Sequence, residues 1–175
     1  MTHNILIAGF GGQGVLFAGK VLAYGGLCDG KEISWLPSYG PEMRGGTCNC
    51  SVCVSDQPIG SPLVTNPDIL VAMNRPSLEK FIDAVVPGGT VIIDSSIVDV
   101  KIDRSDITVC KLPATELAEQ NDLKGLGNMV LVGRLNQVCK VLSAEGLDKG
   151  LVKCVPARKP EMVDFNRKAI EIGKA

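Results

Sequence analysis

The chain has 175 residues, with 18 Lys and Arg against 19 Asp and Glu, a net charge of −1. That length suits a single domain with one substantial core. The near-zero charge removes any electrostatic reason to expect nucleic acid or an anionic membrane as a partner. No apolar run approaches the roughly 20 residues needed to span a bilayer, and the opening Met1-Thr2-His3-Asn4 has no basic leader region, so a cytoplasmic protein is expected. Aromatic residues make up only 4% while Val, Ile, Leu, Ala and Gly abound. This palette belongs to parallel strands buried on both faces by helices, and the expected fold class is α/β: three α/β/α layers around a mainly parallel sheet.

A short apolar run at residues 5–8 predicts the first strand, and it breaks into Gly9-Phe10-Gly11-Gly12-Gln13-Gly14, a glycine loop that opens a helix. The spacing fits G-x-G-x-x-G in the strand-to-helix context that pattern requires. Such a loop aims unpaired backbone N–H groups and the positive end of the helix at one point, which suits a phosphate or carboxylate. The full dinucleotide fingerprint also needs an acidic residue closing the second strand. Here that strand, residues 32–36, runs into Leu36-Pro37-Ser38, and the next carboxylate is Glu42 beyond a Tyr-Gly-Pro turn. A standard NAD site is therefore disfavoured, and a purely conformational role for the glycines stays open.

The helix predicted at 15–27 carries Gly19, Ala23 and Gly26 at helical spacing, small residues that let it lie close on a sheet, with Gly30 as its C-cap. A Rossmann-like first βαβ unit follows. Residues 37–46 (PSYGPEMRGG) hold two prolines and three glycines, which makes them a loop, yet they also carry Ser38, Tyr39, Glu42 and Arg44. A loop leaving the second parallel strand lies on the ligand side of an α/β sheet, so it should meet the glycine loop.

Seven cysteines in a chain without an export signal read as thiols. Cys48, Cys50 and Cys53 fall in a predicted strand at 47–55, where alternation puts Cys48 and Cys50 on one face and Cys53 on the other. The remaining four are scattered singly, without zinc or ferredoxin spacing. No metal site is expected.

Strands are further predicted at 68–73, 90–94 and 107–112. A helix begins at Pro76, with Leu78, Phe81, Ile82 and Val85 as its buried stripe. Asp94 either meets a ligand or caps the next turn, and capping is favoured. Helices are predicted at 114–120, at 129–142 with Gly127-Asn128 contributing an N-cap, and from Pro160 onward, where Met162, Phe165, Ala169 and Ile172 form a stripe for the core or an interface, the core being favoured. The C-terminal third thus reads as helical. His3 reads as a surface residue, and no catalytic set of Ser, His and carboxylate is evident.

GFGGQG and SYGPEMRGG, in this order and separation, together with PIGSP at 58–62, LVAMN at 70–74 and Gly127-Asn128-Met129, resemble the gamma subunit of the 2-oxoacid:ferredoxin oxidoreductases across essentially the whole chain. The same unit forms one domain of the single-chain pyruvate enzymes. The GGTCNCSV continuation looks more like the 2-oxoglutarate or branched-chain branch than the pyruvate branch. The resemblance implies an oxidoreductase complex that decarboxylates a 2-oxoacid on thiamine diphosphate with Mg, passes electrons through 4Fe-4S clusters to ferredoxin, and hands the acyl group to coenzyme A. This chain has no thiamine diphosphate signature and no cluster-binding cysteine run, so those cofactors are assigned to alpha and beta subunits and a ferredoxin-like delta subunit.

Three roles follow. In the first, Gly9, Gly11, Gly12, Gln13, Gly14, Ser38, Tyr39 and Arg44 form an anion cleft for coenzyme A, with Gly11, Gly12 and Gln13 on a phosphate and Arg44 supplying the charge. In the second, both loops serve only the subunit interface. The third is a free-standing binder of NAD or a flavin.

Overall fold

The computed structural model describes residues 1–38 and 47–175, and the expectations for Tyr39, Glu42 and Arg44 lie outside the described residues. Six strands form one sheet in the order β2-β3-β1-β4-β5-β6, with β1 at Thr2–Phe10, β2 at Glu32–Ser38, β3 at Thr47–Ser55, β4 at Ile69–Ala72, β5 at Thr90–Asp94 and β6 at Thr108–Leu112. β1, β4, β5 and β6 are parallel neighbours, while β3 runs antiparallel to both β1 and β2. The fold is α/β with a mainly parallel sheet, as the composition predicts.

One detail of the predicted first unit differs. β1 and β2 run the same way and are joined by helix α1 (Val15–Cys28), but β3 is inserted between them. The hairpin-like return of β3 beside its predecessor is a pairing that the sequence pattern of each strand leaves undetermined, because a buried strand reads alike in either direction. Ser38 consequently stands two strand spacings, about 10 Å, from the β1 edge.

The pleat sorts the core into two faces. Ile5, Ile7, Cys48, Cys50, Val52, Val54, Val71 and Ile92 face one side. Leu6, Cys53, Leu70, Ala72, Val91 and Ile93 face the other. The predicted splitting of the Cys48, Cys50 and Cys53 trio is therefore observed, and among the described residues no group of three or more His, Cys, Asp or Glu side chains is placed to hold a metal ion.

The first face is covered by α1, α3 (Ala114–Gln120), α4 (Gly127–Cys139), α5 (Ala144–Cys154) and α6 (Glu161–Lys174). Among the described residues, the second carries only the short helix α2 (Arg75–Phe81), a 3-10 turn at Ile82–Ala84 and extended chain bearing Ile59, Val64 and Val98. The layers are unequal. No helix among the described residues is long and apolar enough to cross a membrane.

Several ends follow their sequence signals. α1 closes in a Schellman arrangement, with Gly30 at φ +72°, its N–H on Leu27 O and Lys31 N–H on Gly26 O. Asn74 caps α2 through Ser77 N–H at 2.8 Å. Helix α5 is the element sequence reading misses: Ser143 caps it through Gly146 N–H at 2.8 Å, but the buried Gly146 and Gly150 dilute its helical signal. Their purpose is tertiary, since a Cβ on Gly150 would meet the Gly25 and Val21 backbone of α1. In α6 the buried set is Asn166, Ala169, Ile170 and Gly173. Phe165, assigned to the core by spacing, is 45% exposed, because the stripe that meets α4 is shifted by one residue to let the small side chains make the crossing.

Candidate functional site

From β1 the chain crosses by α1 to the β2–β3 side of the sheet, then returns to place β4 on the other flank of β1. The crevice beyond the C-terminal ends of β1 and β4 is therefore the topological switch point, where α/β sheets bind ligands. The glycine loop occupies it.

Gly12 has φ +95° and Gly14 φ +76°, both in the left-handed region that disfavours side chains. Gly14 is the N-cap of α1, yet no side chain caps the helix and no acidic residue lies in its first turn. The first N–H groups of a helix have no intrahelical acceptor, so this terminus projects positive potential outward past a loop without side chains in the way.

Gln13 holds the loop closed. Its Oε1 accepts Phe10 N–H at 2.6 Å and its Nε2 donates to Met73 O at 2.9 Å, joining the ends of β1 and β4. The carboxamide expected to face a phosphate is thus engaged in shaping the loop. Gly9 is required for the same closure, since a Cβ there would lie 2.6 Å from Gln13 Oε1 and 2.9 Å from Met73 Cβ. Gly11 and Gly12 form the exposed tip of the loop.

Asn128, predicted to cap α4, does something else. Leu126 is the N-cap residue, without a side-chain bond, and Asn128 Nδ2 instead donates to Gly14 O at 3.1 Å. The start of α4 is thereby fastened to the start of α1. Nothing in the local sequence signals this, because the partners are 114 positions apart.

Gly12, Gln13, Met73, Asp94, Thr115 and Asn128 line a cleft of about 220 Å³. Asp94 is buried and committed: Oδ1 accepts Ser96 N–H at 3.0 Å, and Oδ2 accepts Thr115 N–H at 3.1 Å and Thr115 Oγ1–H at 2.6 Å. The favoured reading of this carboxylate as a cap is the one observed. On the far side of Gly14 and Asn128, a second and more apolar groove of about 310 Å³ runs between Phe17, Leu126, Val155 and Met162, with Lys159 among its lining residues.

The thiols nearby are inert by position. Burial pushes Cys50 up to about 12 and raises Cys48 as well, so neither supplies a thiolate nucleophile near neutral pH. His3 sits half-buried in β1, away from the cleft.

The fold is thus a mainly parallel α/β domain with an uncapped helix terminus behind a glycine loop at the switch point. The chain belongs to the pyruvate ferredoxin/flavodoxin oxidoreductase family, whose pattern it matches over residues 4–175. It is 39% identical over 97% of its length to ketoisovalerate oxidoreductase subunit VorA of Methanothermobacter thermautotrophicus, covering 35% of that protein. It is 38% identical to 2-oxoglutarate synthase subunit KorC of Methanocaldococcus jannaschii, with 89% of this chain and 85% of that one aligned. The chain thus spans about a third of the length of VorA but most of KorC.

Among solved structures, a keto/oxoacid ferredoxin oxidoreductase gamma subunit from Geobacter sulfurreducens superimposes with TM-score 0.83 at 28% identity, covering 98% of this chain and 96% of that one. A 2-oxoglutarate:ferredoxin oxidoreductase from Magnetococcus marinus gives TM-score 0.87 at 24% identity, covering 99% of this chain and 30% of that one, a likeness of fold.

Proposed function

We propose that this chain is the gamma-type subunit of a cytoplasmic 2-oxoacid:ferredoxin oxidoreductase that converts a 2-oxoacid, 2-oxoglutarate in the first instance, to its acyl-coenzyme A. Its own part is to receive coenzyme A at the glycine loop and to stabilise the complex. The observation that carries this reading is the uncapped N-terminus of α1 behind Gly11, Gly12 and Gly14 at the switch point, which suits the pyrophosphate of coenzyme A. The Magnetococcus marinus enzyme of the same fold was solved with 2-oxoglutarate, coenzyme A and succinyl-CoA bound. Relatives named for ketoisovalerate and for 2-oxoglutarate support the branch.

In this reading the thiamine diphosphate of the sister subunits supplies the decarboxylation chemistry, and their iron–sulfur clusters carry electrons to ferredoxin. The residues of this chain bind and orient. Gly11, Gly12 and Gly14 offer backbone N–H groups, Gln13 and Gly9 keep the loop closed, and Ser38, Tyr39 and Arg44 complete the anion cleft from the neighbouring loop, with Arg44 giving bidentate contacts.

The test is a mild affinity purification from native extract, assayed for coenzyme A-dependent reduction of a low-potential dye with several 2-oxoacids. Co-elution of thiamine- and iron–sulfur-bearing subunits with activity, together with a raised KM for coenzyme A in Arg44→Ala, is the expected result. A chain that elutes alone and inactive under conditions that preserve complexes overturns the proposal.

An assembly-only role is the second reading, favoured by Trp35 and Leu36, which remain more than a third exposed on the edge strand β2. Arg44→Lys separates the two, because lysine keeps the charge and loses the fork. Failed assembly supports an interface; normal assembly with slow acyl transfer supports the cleft.

A further inference from the structure

Helix α1 is apolar on every side, including the side that meets no other element. Its six residues that are not buried are Leu16, Phe17, Lys20, Tyr24, Leu27 and Cys28, and at 3.6 residues per turn they fall within about a third of the circumference. This arc is the outward face, because α4, α5 and strands β1, β2 and β3 all pack on the other side. Lys20 is its one charged residue. Helix α6, also 14 residues long, shows how a water-facing helix of this protein is written: Glu161, Asp164, Arg167, Lys168, Glu171 and Lys174. A helix without a polar face is a buried helix, yet here Tyr24 is 37% and Leu27 56% exposed.

Trp35 extends the arc across the sheet edge. Its indole lies against α1, where a Cβ on Gly19 would come within 3.0 Å of Trp35 Nε1, and its remaining surface is open. The chain has one Trp, two Tyr and four Phe, and Trp35, Tyr24 and Phe17 gather on this one surface. Aromatic residues with few charges are the composition of an interface centre, and a contiguous apolar patch of this kind marks a partner's seat. Lys20 Nζ stands 5.8 Å from the centre of the Tyr24 ring and pairs with no carboxylate among the described residues.

We infer that the outward arc of α1, with Trp35 beside it, is the surface on which this chain docks to a sister subunit of the oxidoreductase, against a patch that is apolar and offers a carboxylate to Lys20. The inference rests on the subunit reading given above. Two observations choose this occupant over a second copy of the chain. KorC, which this chain matches over most of its length, is named as a subunit of a larger synthase. VorA holds the same unit within a chain about three times as long, so there the rest of the chain lies within reach of it. The partner of α1 is the counterpart of that rest. Leu16 and Phe17 stand in the first turn of α1, so docking along the arc also brings the sister subunit up to the glycine loop.

The experiment compares the affinity-purified complex with the isolated full chain by hydroxyl-radical footprinting and repeats the purification with Leu27→Glu and Phe165→Glu. Both substitutions replace exposed apolar side chains, so each isolated chain should melt within about 2 °C of the wild type. Tyr24 and Trp35 should oxidise severalfold more slowly in the complex than in the isolated chain, a comparison that needs no variant. Leu27→Glu should retain about tenfold less sister subunit per chain, because it sets a charge into an apolar contact. Phe165→Glu, on the charged flank of α6, should retain as much as the wild type.

Unchanged oxidation of Tyr24 and Trp35 on assembly overturns the inference, as does a Leu27→Glu chain that keeps its sister subunits. An isolated wild-type chain that sediments as a dimer, with Leu27→Glu a monomer, overturns it in favour of a second copy. A wild-type chain that never brings down sister subunits defeats the subunit reading itself, whereas a complex that forms with α1 still exposed defeats this inference alone.

Discussion

Gly14→Ala gives the sharpest test of how the glycine loop is held. A Cβ at Gly14 enters a backbone at φ +76° and meets the side chain of Asn128, with Cγ at 2.8 Å and the amide nitrogen closer still. The left-handed conformation costs an L-residue about 1–2 kcal/mol. Displacing Asn128 loses its bond to Gly14 O, a further loss of about 1 kcal/mol. The sum is about 2–3 kcal/mol, which for a chain of this size lowers Tm by about 4–12 °C.

Gly12→Ala is the internal control. Its φ is +95°, but no heavy atom lies within 4 Å of the new Cβ, so only the conformational cost of about 1–2 kcal/mol applies. Urea denaturation of both variants and of Gly14→Ala/Asn128→Ala, in which the clash partner is gone, completes the measurement. The double variant should cost less than the two single ones added. A Gly14→Ala variant no less stable than Gly12→Ala would refute the claim that Asn128 packs the loop from behind.

Asp94→Ala should cost about 3 kcal/mol by urea denaturation, since it strands the Ser96 and Thr115 donors in a buried site. Gly173→Ala, whose Cβ would intrude on Val130 O and approach Arg134 N to 3.0 Å, should free α6 from α4 and expose it to limited proteolysis; an unchanged digestion pattern would count against that close crossing. At high pH, burial holds the Cys50 thiol up at about 12, and Cys139 and Cys154 up at about 11. These raised values stabilise the native state below the ordinary thiol range and lose that contribution as pH rises through the folded values. The urea midpoint should therefore fall above pH 9, with Cys50 alone contributing up to about 1.4 kcal/mol per pH unit, and Cys50→Ala should flatten the slope. In acid the sign reverses. Lys31 and the terminal amine hold Asp56 down at about 2 from an ordinary 3.8, so its contribution is present above that ordinary value and vanishes as pH falls toward 2; Asp56→Asn should flatten the acid limb of the stability profile.

Much of this molecule is legible along the chain. The glycine loop, the helix behind it, the positions of the strands and the split of Cys48 and Cys50 from Cys53 follow from period and residue type. Each depends on neighbours a few positions away, and local geometry fixes which face a side chain takes. The uncapped start of α1 also belongs here, because Gly14 has no side chain with which to cap it.

What lies between elements was decided elsewhere. The insertion of β3 between β1 and β2 is a matter of strand pairing. Helix α5 was hidden by Gly146 and Gly150, whose backbones make room for α1. Asn128, read locally as a cap, became a link to Gly14 across 114 positions. The Oδ1 atoms of Asn128 and Asn166, without a partner among the described residues, are buried only once α4 and α6 are laid together beside α1. The sequence by itself determined every strand, most of the helices and the glycine character of the loop, since those obey short-range sterics and periodicity. Only the tertiary structure decided which side chains converge around the loop, because contacts between distant segments are set by how whole faces pack and leave no periodic trace in the chain.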